Sequence, residues 1–227
     1  DFPMEGRYRS YYNLALSGKE MPQSTNANRY EYNYAYETTA YNKGAVFLSQ
    51  LGYIIGRGNL FKTLQEYYNE WKFKHPKPND FRRIAERVSG IQLQWYLTDW
   101  TQTTNVIDYR IEKVSGGSEK TVVVLNRKGL MPMPLEILVK YNDGQYDIIY
   151  IPISLMSGEK NNPYNITWKV KPDWFWSNPF YSFHLEKSMD EIEAIVIDPS
   201  NLMADIDKTN NYYLPKMKKF EDKELEK

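Results

Sequence analysis

Apolar side chains recur every three or four residues between positions 41 and 101 of the chain. This spacing is typical of helices that bury one face. Gly56, Pro76, Pro78 and Gly90 interrupt it. Glycine ends helices because it adopts the left-handed conformation easily, and proline cannot donate a helical hydrogen bond. The pattern therefore predicts four consecutive helices in residues 41–101.

Each predicted helix has a buried face, and two of them have a recognisable start. Asn59 is the predicted N-cap of the second helix and Asp80 that of the third, since short polar side chains accept hydrogen bonds from free backbone amides. The predicted buried residues are Tyr41, Gly44, Leu48, Leu51 and Ile55, then Leu60, Leu64, Tyr67, Tyr68 and Trp71, then Phe81, Ile84, Ala85 and Val88, and finally Leu93, Leu97 and Trp100. Together these faces predict one compact helical unit.

The first forty residues are polar and rich in tyrosine. Tyr30, Tyr32, Tyr34 and Tyr36 occupy alternate positions, which is compatible with a strand and equally with an extended loop. Both interpretations predict an extended backbone at these alternating tyrosines, residues 30–36.

After Asn105, apolar side chains recur at about every second position instead of every third or fourth. Residues 122–125 and 135–141 are rich in β-branched or alternating apolar side chains, and Asp143 with Gly144 forms a typical tight-turn sequence. Further strands are predicted at 146–150, 166–170 and 192–197. Short strands separated by turns at this spacing are typical of an antiparallel β-sandwich of immunoglobulin-like type.

The two patterns together predict the fold class α+β. Residues 1–104 form the predicted helical domain, and residues 105–212 form the predicted β-sandwich. Residues 213–227 mix charges without an apolar period and are predicted to be a charged tail.

Composition narrows the possible functions. The 227 residues carry 29 basic and 29 acidic side chains, so a strongly basic nucleic-acid surface is not predicted. No apolar run reaches the length of about 18 residues that a membrane-spanning helix needs. The lack of cysteine excludes disulfides, thiolate metal ligands and cysteine nucleophiles.

The chain contains two histidines, and neither begins a His-Glu-x-x-His zinc motif. His75 is predicted to be exposed in a charged loop, and His184 is predicted to be half-buried in a strand. Lys43 and Glu70 could lie near a peptide terminus. Charged side chains that flank helices are ordinarily exposed, however, so solvent-facing positions are the preferred prediction for both.

Two further groups of residues are candidate binding sites. The first is rich in oxygen ligands of the kind that calcium takes, and comprises Asp198, Asp205, Asp207, Asn210 and Asn211. It lacks the spacing of an EF-hand, so a solvated loop is the preferred prediction. The second is an aromatic group that could stack on a carbohydrate, and comprises Trp174, Trp176 and Phe180 with Pro172 and Pro179. The preferred interpretation is a loop that covers one end of the sandwich.

An ordered series of short motifs runs through residues 36–100. It begins with Tyr41-Asn42-Lys43-Gly44, preceded by Tyr36. It continues through Phe61, Leu64, YYNEW at 67–71, Asp80-Phe81 and VSGIQLQWYLTDW at 88–100, and Ile197-Asp198-Pro199 and Asp205-Ile206-Asp207 follow later in the chain. The series resembles the M1 (gluzincin) family of zinc aminopeptidases, which have a Tyr-x-Lys-Gly motif, a second Tyr five residues earlier, and an SG-x-x-L-x-W/F-F-x-x-W pattern.

The resemblance implies specific chemistry. In the M1 family a zinc ion, held by His-Glu-x-x-His and a Glu on the next helix, activates a water for attack on the first peptide bond. A neutral Tyr phenol then donates a hydrogen bond to the developing oxyanion. By position Tyr41 matches this tyrosine, and Tyr36 is a candidate for substrate binding. The zinc-binding helices of the family precede the Tyr motif. The chain would thus comprise the thermolysin-like C-terminal helices of the catalytic domain and the appended β-sandwich.

We therefore expect a fragment of a zinc aminopeptidase that acts on peptide substrates in its full-length parent. The fragment is expected to be inactive alone and to bind no cofactor, with zinc bound only in the parent. The alternative is a naturally short, non-catalytic peptide- or glycan-binding module derived from the same family. Similarity to exported bacterial members favours a periplasmic or secreted location, and neither a nucleic-acid partner nor a membrane span is expected.

Overall fold

A computed structural model describes residues 4–215, and the chain divides into two compact units. The helical unit contains the described residues up to Val106 and two later pieces, Leu155–Asn161 and Leu202–Ile206, here called the return segments. The strand unit contains Ile107–Ser154, Asn162–Asn201 and the described residues from Asp207 onward. Helices in one unit and sheets in the other make this an α+β fold. Most of the predicted charged tail, residues 216–227, lies outside the described residues.

The helical unit is built from six α-helices and a π-helical turn among its described residues. They are α1 (Glu5–Leu16), α2 (Asn33–Glu37), the π turn (Thr38–Lys43), α3 (Gly44–Ile55), α4 (Arg57–Trp71), α5 (Pro78–Ser89) and α6 (Gln94–Gln102). The helices α3 to α6 correspond to the four predicted from the apolar period. The side chains of Leu51, Ile55, Ile84, Leu97 and Trp100 are buried as predicted.

The prediction of an extended backbone at the alternating tyrosines holds for Tyr30 and Tyr32 and was wrong from Asn33 onward, where α2 begins. Residues 5–16 form α1, which was not predicted from the sequence. In α1 the buried side chains are Tyr8, Tyr11 and Leu14, which recur every three residues. Tyrosine supplies the apolar face here because its large ring is buried, and the Tyr8 hydroxyl also lies 2.8 Å from Oγ of Ser49.

Two predicted caps lie inside their helices. Asn59 lies in the first turn of α4, where its Nδ2 donates to the carbonyl oxygen of Ile55 at 2.9 Å. Asp80 is the third residue of α5 and accepts a hydrogen bond from the backbone N–H of Lys77 at 2.8 Å. Pro78 opens α5 rather than stopping α4, because the first position of a helix needs no N–H donor. Gly90 ends α5 in the left-handed conformation, as predicted.

The return segments complete polar contacts inside the helical unit. The Nζ atom of Lys160 donates to the carbonyl oxygen of Tyr53 at 2.6 Å and lies 4.4 Å from the centroid of its ring. Buried Gln50 donates from Nε2 to the carbonyl oxygen of Leu202 at 2.6 Å, and its Oε1 accepts from the backbone N–H of Ala204 at 2.9 Å. An unpaired buried amide is costly. The first 106 residues alone would supply the Tyr8 hydroxyl as a partner of Nε2 at 2.8 Å, but they would leave Oε1 without its Ala204 donor.

The strand unit contains two sheets. Its strands are β1 (Tyr109–Gly116), β2 (Thr121–Arg127), β3 (Leu135–Tyr141), β4 (Tyr146–Ile151), β5 (Thr167–Val170), β6 (Phe180–Leu185), β7 (Ile192–Ile197) and β8 (Tyr212–Tyr213). One sheet has the order β1-β2-β6 and the other the order β5-β4-β3-β7-β8. The strands β1 and β8 were not predicted from the sequence, and β6 was predicted only as a strand around His184.

One strand pair departs from the predicted antiparallel arrangement. Strand β5 lies parallel to β4, with Asp147 opposite Thr167, whereas all other pairs of named strands are antiparallel. A parallel neighbour needs a long connection, and residues 152–166 supply one. Trp174 is buried between the sheets: its ring lies 5.5 Å from that of Tyr109 and 5.3 Å from that of Tyr181.

The predicted tight turn joins β3 and β4. The backbone N–H of Gly144 donates to the carbonyl oxygen of Tyr141 at 3.0 Å, and Gly144 has a φ of 82°. Within residues 4–215, none of the helices is both long and apolar enough to cross a membrane.

Replacing Gly144 with alanine is expected to lower the free energy of unfolding by about 1–2 kcal/mol, because a Cβ atom is disfavoured at this positive φ. Denaturant-induced unfolding measures the change. Gly117→Ala is the control, since an added Cβ there meets no atom within 4 Å and no left-handed φ is required. Its effect should stay within about 0.5 kcal/mol. Equal losses in both variants would contradict a special role for Gly144.

Candidate functional site

Tyr41 lies on the π turn, within a continuous helical run from α2 to α3. The backbone N–H of Gly44 bonds to the carbonyl oxygen of Thr39, five residues earlier, which is the π-helical pattern. Such turns are rare and are frequently found at functional sites. The apolar period had predicted Tyr41 to be buried. That prediction was wrong, because the side chain is 68% exposed.

The two faces of the π turn differ in exposure. Thr38, Thr39 and Lys43 are buried, whereas Ala40 and Tyr41 are exposed. No described residue forms a hydrogen bond with the Tyr41 hydroxyl. The phenol is therefore available to an external acceptor.

Two polar contacts connect the π turn to earlier parts of the helical unit. Arg7 of α1 donates from Nη1 to Oδ1 of Asn42 at 2.9 Å, on the exposed side. Lys43 Nζ lies 2.7 Å from Oε1 of Glu20, on the buried side. Both contacts involve the two residues that follow Tyr41 in sequence, and they restrict the backbone that carries it.

The Lys43–Glu20 ion pair is buried. The side chains are 0% and 4% exposed, so the prediction that Lys43 faces solvent was wrong. Burial raises the pKa of the Glu20 carboxyl, and the adjacent Lys43 ammonium opposes part of that rise. The Lys43 ammonium also lies 5.7 Å from the ring centroid of Trp100. Glu70 is exposed and bonds Arg87, so Lys43 and Glu70 do not form a joint site.

Tyr36 lies in α2 and is 44% exposed. Its ring meets that of Tyr30 edge-on, with centroids 5.4 Å apart. Both candidate tyrosines, Tyr36 and Tyr41, thus present accessible rings on consecutive turns of one helical run.

The described residues do not form a zinc site. His75 is exposed in the helical unit, as predicted, and His184 is exposed on β6 rather than half-buried. Across residues 4–215, no group of three or more His, Cys, Asp or Glu side chains could hold a metal. Zinc needs three or four such ligands at one point.

The predicted solvated aspartate loop is only partly solvated. Asp198 and Asp205 are 6% and 1% exposed and belong to different units. Asp207 is tied locally, because it accepts hydrogen bonds from Thr209 and Asn210, and these bonds lower the pKa of its carboxyl. No calcium site follows from this arrangement.

The predicted aromatic group is divided by the fold. Trp174 is 2% exposed and belongs to the core of the strand unit, whereas Trp176 and Phe180 are more than half exposed. The sequence reasoning missed the neighbouring Phe175, which is 62% exposed. Arg127 fixes this loop by donating from its guanidinium to the carbonyl oxygen of Trp176.

An open depression of about 620 Å³ lies on the strand unit. Its lining combines aromatic, amide and hydroxyl side chains: Gln145, Tyr146, Asp147, Asn162, Tyr164, Asn165, Ile166 and Thr167. Tyr146 is 43% exposed. The Tyr164 hydroxyl is bonded to the Glu136 carboxylate, and burial raises the pKa of Tyr164 well above its ordinary value. No sequence motif marked this depression, because its residues come from two separate loops.

Residues 7–100 match the family model of the peptidase family M1 domain, and the match includes Tyr41. The resemblance inferred from the motifs is therefore confirmed for this segment.

Other comparisons add little to this match. No curated protein matches the sequence. Legionella pneumophila aminopeptidase A, solved in complex with aspartic acid, is similar in structure over 88% of this chain, with 13% sequence identity and a TM-score of 0.49. The chain spans 22% of the length of that structure.

Proposed function

We propose that this chain is the part of a zinc-dependent aminopeptidase that supplies Tyr41 as an oxyanion donor. The residues that hold zinc would come from polypeptide outside the chain. The observation that carries this proposal is the family match over residues 7–100, which includes an exposed Tyr41 on a π turn. Hydrolysis of the N-terminal peptide bond is the reaction, and peptides are the substrates.

The proposed role of Tyr41 follows from phenol chemistry. When a nucleophile attacks a peptide carbonyl, the carbonyl oxygen gains negative charge, and a hydrogen bond to that charge is roughly twice as strong as a neutral one. A neutral phenol donates one such bond. The donor accelerates the reaction only if it is already in place. The Arg7–Asn42 and Lys43–Glu20 contacts support such a fixed position.

Tyr36 is proposed to contact the bound peptide. Its exposed ring and its contact with Tyr30 provide a supported aromatic surface. Aromatic rings bind peptide side chains mainly through buried area. The expected effect of Tyr36 is thus on substrate affinity rather than on the chemical step.

The chain by itself is expected to bind no stoichiometric zinc and to release no amino acid from aminoacyl chromogenic substrates, since no described cluster fits the metal. Elemental analysis after dialysis measures the zinc content, and a chromogenic assay measures activity. The longer polypeptide encoded with the upstream sequence is the positive control. One zinc per isolated chain would contradict this prediction.

A second candidate function is a non-catalytic peptide- or glycan-binding module. The open depression on the strand unit favours it, because exposed Tyr146 lies there beside amide and hydroxyl groups that suit sugars or peptide backbones. The coding sequence before Asp1 separates the two candidates. A His-Glu-x-x-His motif there supports the enzyme, whereas a start codon with its own signal peptide supports the module.

A periplasmic or secreted location is also proposed. Its support is the similarity of the motif series to exported bacterial members of the family. Cell fractionation followed by detection of the protein tests it, and a purely cytoplasmic fraction would contradict it.

A further inference from the structure

The buried face of the π turn is polar, although it lies inside the helical unit. Lys43 is fully buried and pairs with Glu20, which lies outside any helix. Thr38 and Thr39 are the other buried residues of the turn. An apolar residue in place of Lys43 would be the ordinary choice for such a position.

A net gain in folding stability does not explain why this ion pair is buried here. Removing two charges from water is repaid only when their remaining polar atoms are also bonded. Here Oε2 of Glu20 is buried without a hydrogen-bond partner among the described residues, as are the Tyr11 hydroxyl and the Trp100 Nε1. Trp100 lies close to the ammonium, and its ring centroid is 5.5 Å from that of Tyr11. The best-attested use of such incompletely satisfied buried pairs is to specify one packing register over another.

The π turn is a place where two registers compete. The N–H of Gly44 bonds to the carbonyl of Thr39 and also to that of Tyr41, whereas a regular α-helix would join it to the carbonyl of Ala40. Each residue advances an α-helix by about 100°. In the α register the hydrogen bond would span four residues instead of five, so the turn would contain one residue fewer. Side chains before and after it would then change relative direction by about that angle.

The direction in which the Tyr41 side chain points depends on which of the two registers forms. In the π register Lys43 faces inward to Glu20 while Tyr41, two residues earlier, faces outward. Since α3 is anchored by its buried residues Val46, Gln50 and Ile54, a change of register would reorient the residues before it.

We infer that the Lys43–Glu20 pair selects the π register of residues 38–43 over the α register and thereby fixes the direction of Tyr41. The selection of the π register by this pair does not depend on any catalytic activity. The claim that the pair positions Tyr41 for catalysis rests on the proposed function.

The register is measured directly by NMR couplings across hydrogen bonds in the isotope-labelled chain. Wild type should show coupling between the Gly44 amide and the Thr39 carbonyl. The double variant Glu20→Gln/Lys43→Met removes both charges with little change of shape, and its coupling should move to the Ala40 carbonyl. Retention of the Thr39 coupling in the double variant would overturn the inference, as would an Ala40 coupling in wild type.

Two further variants complete the register experiment. Glu5→Gln/Arg9→Met removes an exposed pair with an N–O distance of 3.8 Å in the same unit, and should leave the Thr39 coupling unchanged. If the double variant at positions 20 and 43 does not fold, Glu20→Gln alone is measured. Loss of the Thr39 coupling supports the inference, and its retention contradicts it.

The positioning role is tested in the complete zinc-containing enzyme. Glu20→Gln/Lys43→Met should lower kcat by on the order of 10²-fold with little change in KM, since a small misplacement of a catalytic group has effects of this size. In a Tyr41→Phe background the same double variant should cause no further loss, because it acts through the missing hydroxyl. An additional loss would overturn the positioning role. A shifted register with unchanged kcat would instead overturn the role proposed for Tyr41 and leave the register inference standing.

Discussion

Tyr41→Phe in the complete aminopeptidase is expected to lower kcat by on the order of 10²–10³-fold, the usual effect of removing one oxyanion donor. The substitution deletes one exposed hydroxyl and keeps the ring. A donor that acts only on developing charge affects the transition state more than substrate binding, so KM should change little. Steady-state kinetics with an aminoacyl substrate measures both constants.

Tyr36→Phe is the matched control for this prediction. It removes the same hydroxyl from a half-exposed tyrosine on the same helical run, and its effect on kcat should be much smaller. Thermal unfolding of both variants should stay close to that of wild type, because neither hydroxyl is buried. If kcat survives Tyr41→Phe within a few-fold, the assignment of Tyr41 is wrong.

Lys43→Met in this chain is expected to lower the free energy of unfolding by about 3–5 kcal/mol at neutral pH. The reason is that the substitution leaves the carboxylate of Glu20 buried without its partner. Urea-induced unfolding measures the loss. The control is Lys62→Met, which removes one partner of an exposed pair and should change stability by less than about 1 kcal/mol.

The pH dependence of this loss has a definite sign. Burial raises the native pKa of Glu20, and removal of Lys43 also removes the effect that opposes the rise. A group with a raised native pKa stabilises the fold below its unfolded pKa, and this contribution disappears as the pH rises through the native pKa. The deficit of Lys43→Met relative to wild type should therefore shrink between neutral pH and about pH 4. A deficit that is constant with pH would contradict a buried Glu20 carboxylate.

The apolar period was sufficient to predict α3 to α6 because each presents a regular buried face. It failed for α1, where tyrosines that read as polar residues supply the buried positions Tyr8 and Tyr11. It also failed for β1, because buried and exposed side chains do not alternate regularly along this strand. The pairing of β1 with β2 shifts between Ile111 and Lys113.

The candidate site was predictable only as a motif. The spacing Tyr41-x-Lys43-Gly44 identified the residues, but a helical period cannot reveal a turn in which a hydrogen bond spans five residues. For that reason Tyr41 was predicted to be buried. Lys43 was predicted to be exposed because charged side chains that flank helices ordinarily are, and the structure has the reverse in both cases. The partner of Lys43 is also remote in sequence, and no local pattern indicates that Glu20 is buried beside it.

The return segments affect the order in which this protein can mature during synthesis. Gln50 receives its partners Leu202 and Ala204 about 150 residues after it has itself been made. At about 5–20 residues per second, a ribosome needs on the order of ten seconds to pass from residue 106 to residue 206. During that interval the Gln50 side chain has the Tyr8 hydroxyl as a partner, but its Oε1 atom lacks the donor that Ala204 provides in the complete fold. The nascent helical unit must wait for the strand unit to be translated, although most of its own sequence comes first.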